Sequence, residues 1–225
     1  MLVHLVGRGA RFLFLFSFLI SAIFAVAACN TIYTDVKTAS GTNAGELGQK
    51  EGIVFASLVE KDDRVNYGGF KFTYRNRATG KIGWFTLNSS LLGDKTRNFS
   101  LPGGTGKGVV KSYTLPAGEY EFFNFSIVLG SPGGYSAWNA EDDFSIPFSV
   151  YAGRATYLGE IRLIPLRAKN IFGITIAGGG TFEIVNNADR DVPIFQQEFS
   201  GIDPSLIDVR PLRQGNVPAD LIAFR

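Results

Sequence analysis

From Gly52 to Ile184 the apolar residues recur with a period of two, and that rhythm limits what this chain can fold into more than any other feature. Phe70, Phe72 and Tyr74 alternate with Lys71, Thr73 and Arg75, and Ile146, Phe148 and Val150 alternate with Pro147 and Ser149. Ala155, Tyr157, Ile161 and Leu163 stand opposite Arg154, Thr156, Glu160 and Arg162, while Phe172, Ile174 and Ile176 precede Phe182 and Ile184. Successive side chains of a strand point to opposite faces, so the pattern describes half-buried antiparallel strands with one face on a core and one in water. Strands are predicted over 52–59, 68–76, 81–87, 109–115, 118–129, 145–152, 154–165, 171–177 and 180–186, with Trp84 in the core. Gly80, Pro116-Ala117-Gly118, Gly153 and Gly178-Gly179-Gly180 punctuate these runs at short spacing, as hairpin turns do.

Two irregularities refine the picture. Tyr120 and Phe122 lie on even positions but Phe123, Phe125 and Ile127 on odd ones, a phase change that predicts a β-bulge near Phe122-Phe123. Ala188, Val192, Phe195 and Phe199 recur at helical spacing, with Asn187 as a candidate N-cap, Gly201 at C′ and Pro204 blocking continuation. Pro193 fits a first turn, which would delay the regular helix to about Val192, its Phe face against an end or edge of the sheets. The fold class expected is therefore all-β, an antiparallel β-sandwich over 52–225 with one short C-terminal helix and an irregular tail after 205.

The first 28 residues carry Arg8 and Arg11 without an acid, then an apolar run from Phe12 to Ala25, then Val26-Ala27-Ala28-Cys29. A basic start, a short apolar stretch and small residues before a cut site predict a secretory signal peptide, too short for a comfortable membrane span. Val26-Ala27-Ala28-Cys29 resembles the lipobox of bacterial lipoproteins. The resemblance implies cleavage after Ala28 and lipidation of Cys29; two or three acyl chains hold a protein on a bilayer where one would not. Asn30 resembles the second residue of lipoproteins sorted to the outer membrane, should the host be Gram-negative. Residues 29–51 are Thr-, Ser-, Gly- and Asn-rich and read as a flexible tether with a root-mean-square span of roughly 25 Å.

Cleavage would also remove His4 and Met1, the sole members of their kinds, and leave Cys29 as the one thiol. The remainder cannot build a Ser-His-Asp or Cys-His nucleophile, a His-ligated metal or an internal disulfide. Losing Arg8 and Arg11 leaves 20 basic residues against 20 acidic ones, a balance that favours no nucleic-acid contact. Pro102 to Gly108 misses the phosphate-loop pattern, with Leu101 in place of its first Gly and Gly108 in place of its Ser or Thr, and reads as a hairpin loop. No cofactor or metal motif emerges.

Leu115-Pro116-Ala117-Gly118-Glu119-Tyr120 resembles a strand-turn-strand element of prealbumin-like and carboxypeptidase-regulatory-like β-sandwiches. Phe148 to Ile161 is similar to a hairpin of uncharacterised bacterial lipoproteins with such a domain, and Asn187 to Phe199 to the helix that follows. The resemblance implies a fold and no chemistry.

Residues 130–143 read as a long loop that could bring Tyr135 and Trp138 to one end of the sandwich as candidate contacts for an envelope protein or glycan, although the favoured role for Trp138 is closing the open end of the core. The leading expectation is a non-catalytic, lipid-anchored envelope domain that binds or supports a partner, attached to the membrane by its N-terminus. A carboxylate-dependent glycan hydrolase using Glu141 and Asp143 would need two facing acids at about 5 to 9.5 Å. A carrier of an apolar ligand would need an interior cavity.

Overall fold

A computed structural model describes residues 49–63, 67–89, 93–131 and 134–225. Among them are twelve strands: β1 (Glu51–Lys61), β2 (Gly69–Asn76), β3 (Ile82–Asn88), β4 (Arg97–Leu101), β5 (Gly104–Pro116), β6 (Gly118–Ser131), β7 (Gly134–Asn139), β8 (Ile146–Val150), β9 (Ala155–Lys169), β10 (Thr175–Val185), β11 (Ile207–Val209) and β12 (Ile222–Phe224). One α-helix, α1 (Ala188–Glu198), follows β10. The fold is mostly β, as the alternation requires.

Two sheets form. The five-stranded sheet runs β3-β2-β6-β7 with β8 also on β6, and all its pairs are antiparallel. The seven-stranded sheet runs β12-β10-β9-β1-β5-β4 with β11 on β9. It is mixed, because β1 pairs β9, β11 pairs β9 and β12 pairs β10 in parallel. The expectation of purely antiparallel pairing is thus corrected. Alternation reports which face is buried and is blind to the direction of the neighbouring strand.

The turns at Pro116-Ala117-Gly118 and Gly153 also differ from expectation. Both were expected to close hairpins, yet each carries the chain from one sheet to the other, β5 to β6 and β8 to β9. Tyr120 is buried at the first corner and its hydroxyl donates to Pro116 O at 2.8 Å. Pro102-Gly103 does close a hairpin, between β4 and β5, but Gly104 to Gly108 are strand and not loop.

The core joins both sheets. Phe70, Phe72, Phe85, Phe122 and Phe125 from one meet Leu58, Ile161, Leu163 and Phe182 from the other. Phe182 sits edge-on to Phe72 at 4.7 Å and to Phe125 at 4.8 Å, the geometry aromatic quadrupoles favour. The bulge expected near Phe122-Phe123 is present: Thr73 faces Asn124 and Tyr74 faces Phe122, so Phe123 is the extra residue. It turns outward beneath the Arg75 guanidinium, 4.7 Å from the ring centre. Trp84 is corrected from core to surface, at 38% exposure, because Gly83, Phe85 and Leu87 take the inward face of β3.

A second bulge changes which residues of β9 see the core. Phe55 pairs Tyr157 but Ser57 pairs Glu160, leaving an extra residue at Leu158-Gly159, where Gly159 has φ +103°. A side chain is strained in that region of backbone space and glycine is not. Before the bulge, Ala155 and Tyr157 face α1; after it, Ile161 and Leu163 face the inter-sheet core. Glu160 and Arg162 consequently lie on the helix side and are buried, where water was expected.

Helix α1 packs on the outer face of the mixed sheet and not on an end or edge. Phe195 stacks on Phe55 at 3.9 Å and Phe199 on Phe195 at 4.7 Å. The helix starts at Ala188, earlier than Pro193 suggested, and Pro193 lies within it. Asp189, whose carbonyl loses its partner to the proline, is exposed, so that carbonyl is open to hydration. The helix ends at Glu198 with Phe199 as its C-cap, and Gly201 falls in the turn beyond.

Candidate functional site

Cys29 and Ala28 lie outside the described residues, as does the side chain of Tyr135. Residues 134–139, expected as loop, form β7 beside β6. Trp138 on β7 is half-buried against the core, 6.1 Å from the ring of Tyr67. Glu141 is exposed, and Asp143 turns to Arg75 (3.8 Å) and Asn124 (3.3 Å). Neither acid lines the clefts described below.

Trp138 instead marks the root of the most exposed apolar feature among the described residues. Beyond Leu163, the last residue of β9 paired with β1, β9 and β10 continue alone as a two-stranded ribbon turned by Asn170 to Ile174. Sequence alternation placed Phe172, Ile174 and Ile176 in the core, and here it fails. Ile171, Phe172 and Ile174 are 93%, 79% and 60% exposed. In the ladder Ala168 faces Ile176, so these share a face with Leu166 and Ile174, while Arg167, Lys169 and Thr175 take the other. Gly178-Gly179-Gly180, expected as a turn, is a bulge inside β10. The Trp138 ring lies 3.8 Å from where a side chain on Gly179 would begin, and the Tyr67 hydroxyl donates to Gly179 O at 2.6 Å. Arg167 is ion-paired with Asp63, so the polar face is pinned to the body. A cleft of about 150 Å³ at this root is lined by Glu60, Asp63, Tyr67 and Lys107, and burial pushes the Glu60 carboxyl up.

Under α1 lies a polar cluster that sequence reasoning missed. Asp191 Oδ2 accepts from Ser57 Oγ and Tyr157 OH, each at 2.5 Å, and Oδ1 accepts from Arg190 Nε at 2.7 Å. Glu160 accepts from Arg162 Nε (2.5 Å), Arg190 Nη2 (2.5 Å) and Asn187 Nδ2 (2.9 Å). The Asn187 side chain therefore serves the cluster and makes no cap bond to the helix. Burial, then the Asp191 carboxylate, pushes the Tyr157 phenol far above its ordinary value. The cluster's acceptors and donors are matched to one another, so it bolts the helix to the sheet. The one legible signal was Gly159, the single glycine inside the strand expected over 154–165.

At the opposite end a cleft of about 570 Å³ opens between β8 and the segment from Asp208 to Arg213. Arg154 grips Asp208 with two bonds of 2.7 Å, and Arg210 and Leu212 donate their backbone N–H groups to Tyr157 O and Leu158 O. Hydrogen bonds from Arg154 hold the Asp208 carboxyl below its ordinary value. A depressed folded value means the stabilisation is complete above the unfolded aspartate value and is lost as pH falls through the folded one. Amide exchange at Arg210 and Leu212, corrected for intrinsic rates, is therefore expected to accelerate once pH drops below the usual aspartate range. Asp208→Asn should exchange faster at neutral pH and lose this acid response; identical profiles for the two proteins would refute the assignment.

Among the described residues no helix is long and apolar enough to cross a membrane. Comparison with protein families finds no match, and comparison with curated proteins finds none. Among solved structures, a leucine-rich repeat protein from Bacteroides thetaiotaomicron VPI-5482 aligns at 16% identity over 50% of this chain and 14% of that one, with a TM-score of 0.31. A likeness that slight carries no argument about function.

Proposed function

We propose that this chain is a lipid-anchored domain of the bacterial cell envelope, a β-sandwich that holds a protein partner without transforming it. The leader and Val26-Ala27-Ala28-Cys29 support the anchor, with outer-membrane sorting if the host is Gram-negative. The observation that carries the binding role is the ribbon. Monomeric proteins scatter single apolar residues over their surface, but Leu166, Ile171, Phe172, Ile174 and Ile176 are gathered on one projecting hairpin. Its position fits the role: β1 enters at Glu51 beside the start of β9 and runs parallel to it, so the tip lies roughly 50 Å further along the strand direction. One end is joined to the tether and the other presents the contact. The buried hydroxyls of Ser57 and Tyr157 and the Asp191 carboxylate are engaged in fastening α1, which supports a non-catalytic reading.

The test has two parts in intact cells. Labelled palmitate should enter the wild-type chain and not Cys29→Ser. A photo-crosslinker at position 172 should capture a defined protein, and Ile171→Ser with Ile174→Ser should weaken that capture by about tenfold or more, since each exposed aliphatic side chain buried in a complex contributes roughly 1.5 kcal/mol or more. Capture of lipid alone, or capture indifferent to the two substitutions, would overturn the docking role; an unlabelled chain would overturn the anchor.

A further inference from the structure

We propose that the cleft between β8 and the Asp208–Arg213 segment is a second binding site, which takes an extended acidic peptide. This reading is independent of the ribbon. The floor of the cleft holds Thr156, 1% exposed, whose hydroxyl Oγ1 has no hydrogen-bond partner among the described residues. A buried hydroxyl without a partner is costly, and a ligand amide or carbonyl reaching the floor would relieve it. The mouth carries two arginines, Arg210 and Arg213, and two acids, Asp208 and Glu119, of which Glu119 already accepts from the Ser149 hydroxyl at 2.9 Å. Asp208 is already neutralised by Arg154, which leaves the guanidinium of Arg210, spread over the Tyr151 ring at 4.7 Å, and that of Arg213 to face an incoming anion. Arg213 has no ion-pair partner among the described residues, and Arg210 approaches Asp208 only to 3.9 Å.

The walls select an extended chain. β8 pairs β6 and β11 pairs β9, each on one side, so the cleft is bounded by the edges of two sheets that carry backbone groups at strand spacing. The Ser145–Asn216 bridge ties the segment after Arg213 to the start of β8. Side chains of an extended ligand alternate, so one face would meet Phe148 and Leu158 while the other offers carboxylates to the two arginines.

The full chain in detergent micelles is titrated against a fluorescent hexapeptide of alternating Glu and Val, with its Gln-for-Glu counterpart as control, and anisotropy is read. Saturable binding of the Glu peptide is expected, with the Gln peptide about tenfold or more weaker. Arg210→Gln with Arg213→Gln should weaken the Glu peptide by about tenfold or more and leave the Gln peptide unchanged, as expected for lost charge-assisted bonds. Thr156→Val should weaken both peptides severalfold without lowering the melting temperature, because the hydroxyl it removes has no partner in the free protein. Absence of saturable binding, equal affinity for the two peptides, or indifference to the arginine pair would overturn the proposal. So would arginine-dependent binding to anionic phosphatidylglycerol vesicles with no binding of the peptide.

Discussion

Asp191→Ala is expected to lower the unfolding free energy by about 3–5 kcal/mol, the range for removing one partner of a buried ionic cluster. Asp191 is fully buried and accepts from Ser57, Tyr157 and Arg190. Truncation strands two hydroxyls where water does not reach, and removes one of the two carboxylates held by the part-buried Arg190 guanidinium. Because Arg190 also grips Glu160, the loss should spread to the seat of α1 and expose Phe195 and Phe199. Two measurements check this. Urea unfolding of the full chain should show the lowered stability, with Asp191→Asn falling between wild type and alanine. Absorbance titration should show the Tyr157 phenol ionising at lower pH in the alanine variant, since opening the helix seat reduces its burial and a neighbouring negative charge is gone, both in the same direction. A loss below about 1 kcal/mol would mean the cluster is not what holds the helix.

Phe182→Ala should cost a comparable amount, about 3–5 kcal/mol, by opening a cavity between the sheets. Its ring is packed against Phe70 (5.2 Å), Phe72 (4.7 Å) and Phe125 (4.8 Å), all from the facing sheet, so the neighbours can relax only together. Phe172→Ala, the same chemical change in the turn that leads into that strand, should stay within about 0.5 kcal/mol of wild type, as exposed positions do. Urea midpoints at constant slope measure both. Equal destabilisation of the two variants would place Phe172 in the core after all.

Those two phenylalanines show how far the amino-acid pattern could be read. Alternation identified Phe70, Phe72, Phe148 and Phe182 as inward because each sits in a strand with a sheet on one side and water on the other. The same rule misplaced Phe172 and Ile174, since a projecting ribbon has water on both faces and no sheet packs over its apolar residues. Glu160 and Arg162 were misread for the converse reason: β9 is covered on both faces, and Gly159 exchanges them midway. Trp84 was assigned inward because it lies within the strand over 81–87, although the phase of Phe85 and Leu87 already placed it outside. The bulge at Phe123 was legible because it displaces three large side chains at once. Strand direction left no trace, as β1 and β9 lie some hundred residues apart in the chain and pair in parallel through contacts that no local signal encodes. Of the candidate site, Trp138 packs half-buried against the core, in keeping with the core-closing role expected of it, and stands at the root of the ribbon; the cleft at the other end depends on Arg210, Arg213 and Thr156, which no local pattern linked.

The parallel pairing of β1 with β9 has a mechanical consequence. A pull between Glu51 and the ribbon tip draws the two strands past each other along their length, loading their bonds together as shear and not one after another as a zip. The antiparallel register with β5, which runs the full length of β1, resists the same displacement. Between those two points the sheet withstands tension along the strand direction, with its first strand as the clamp.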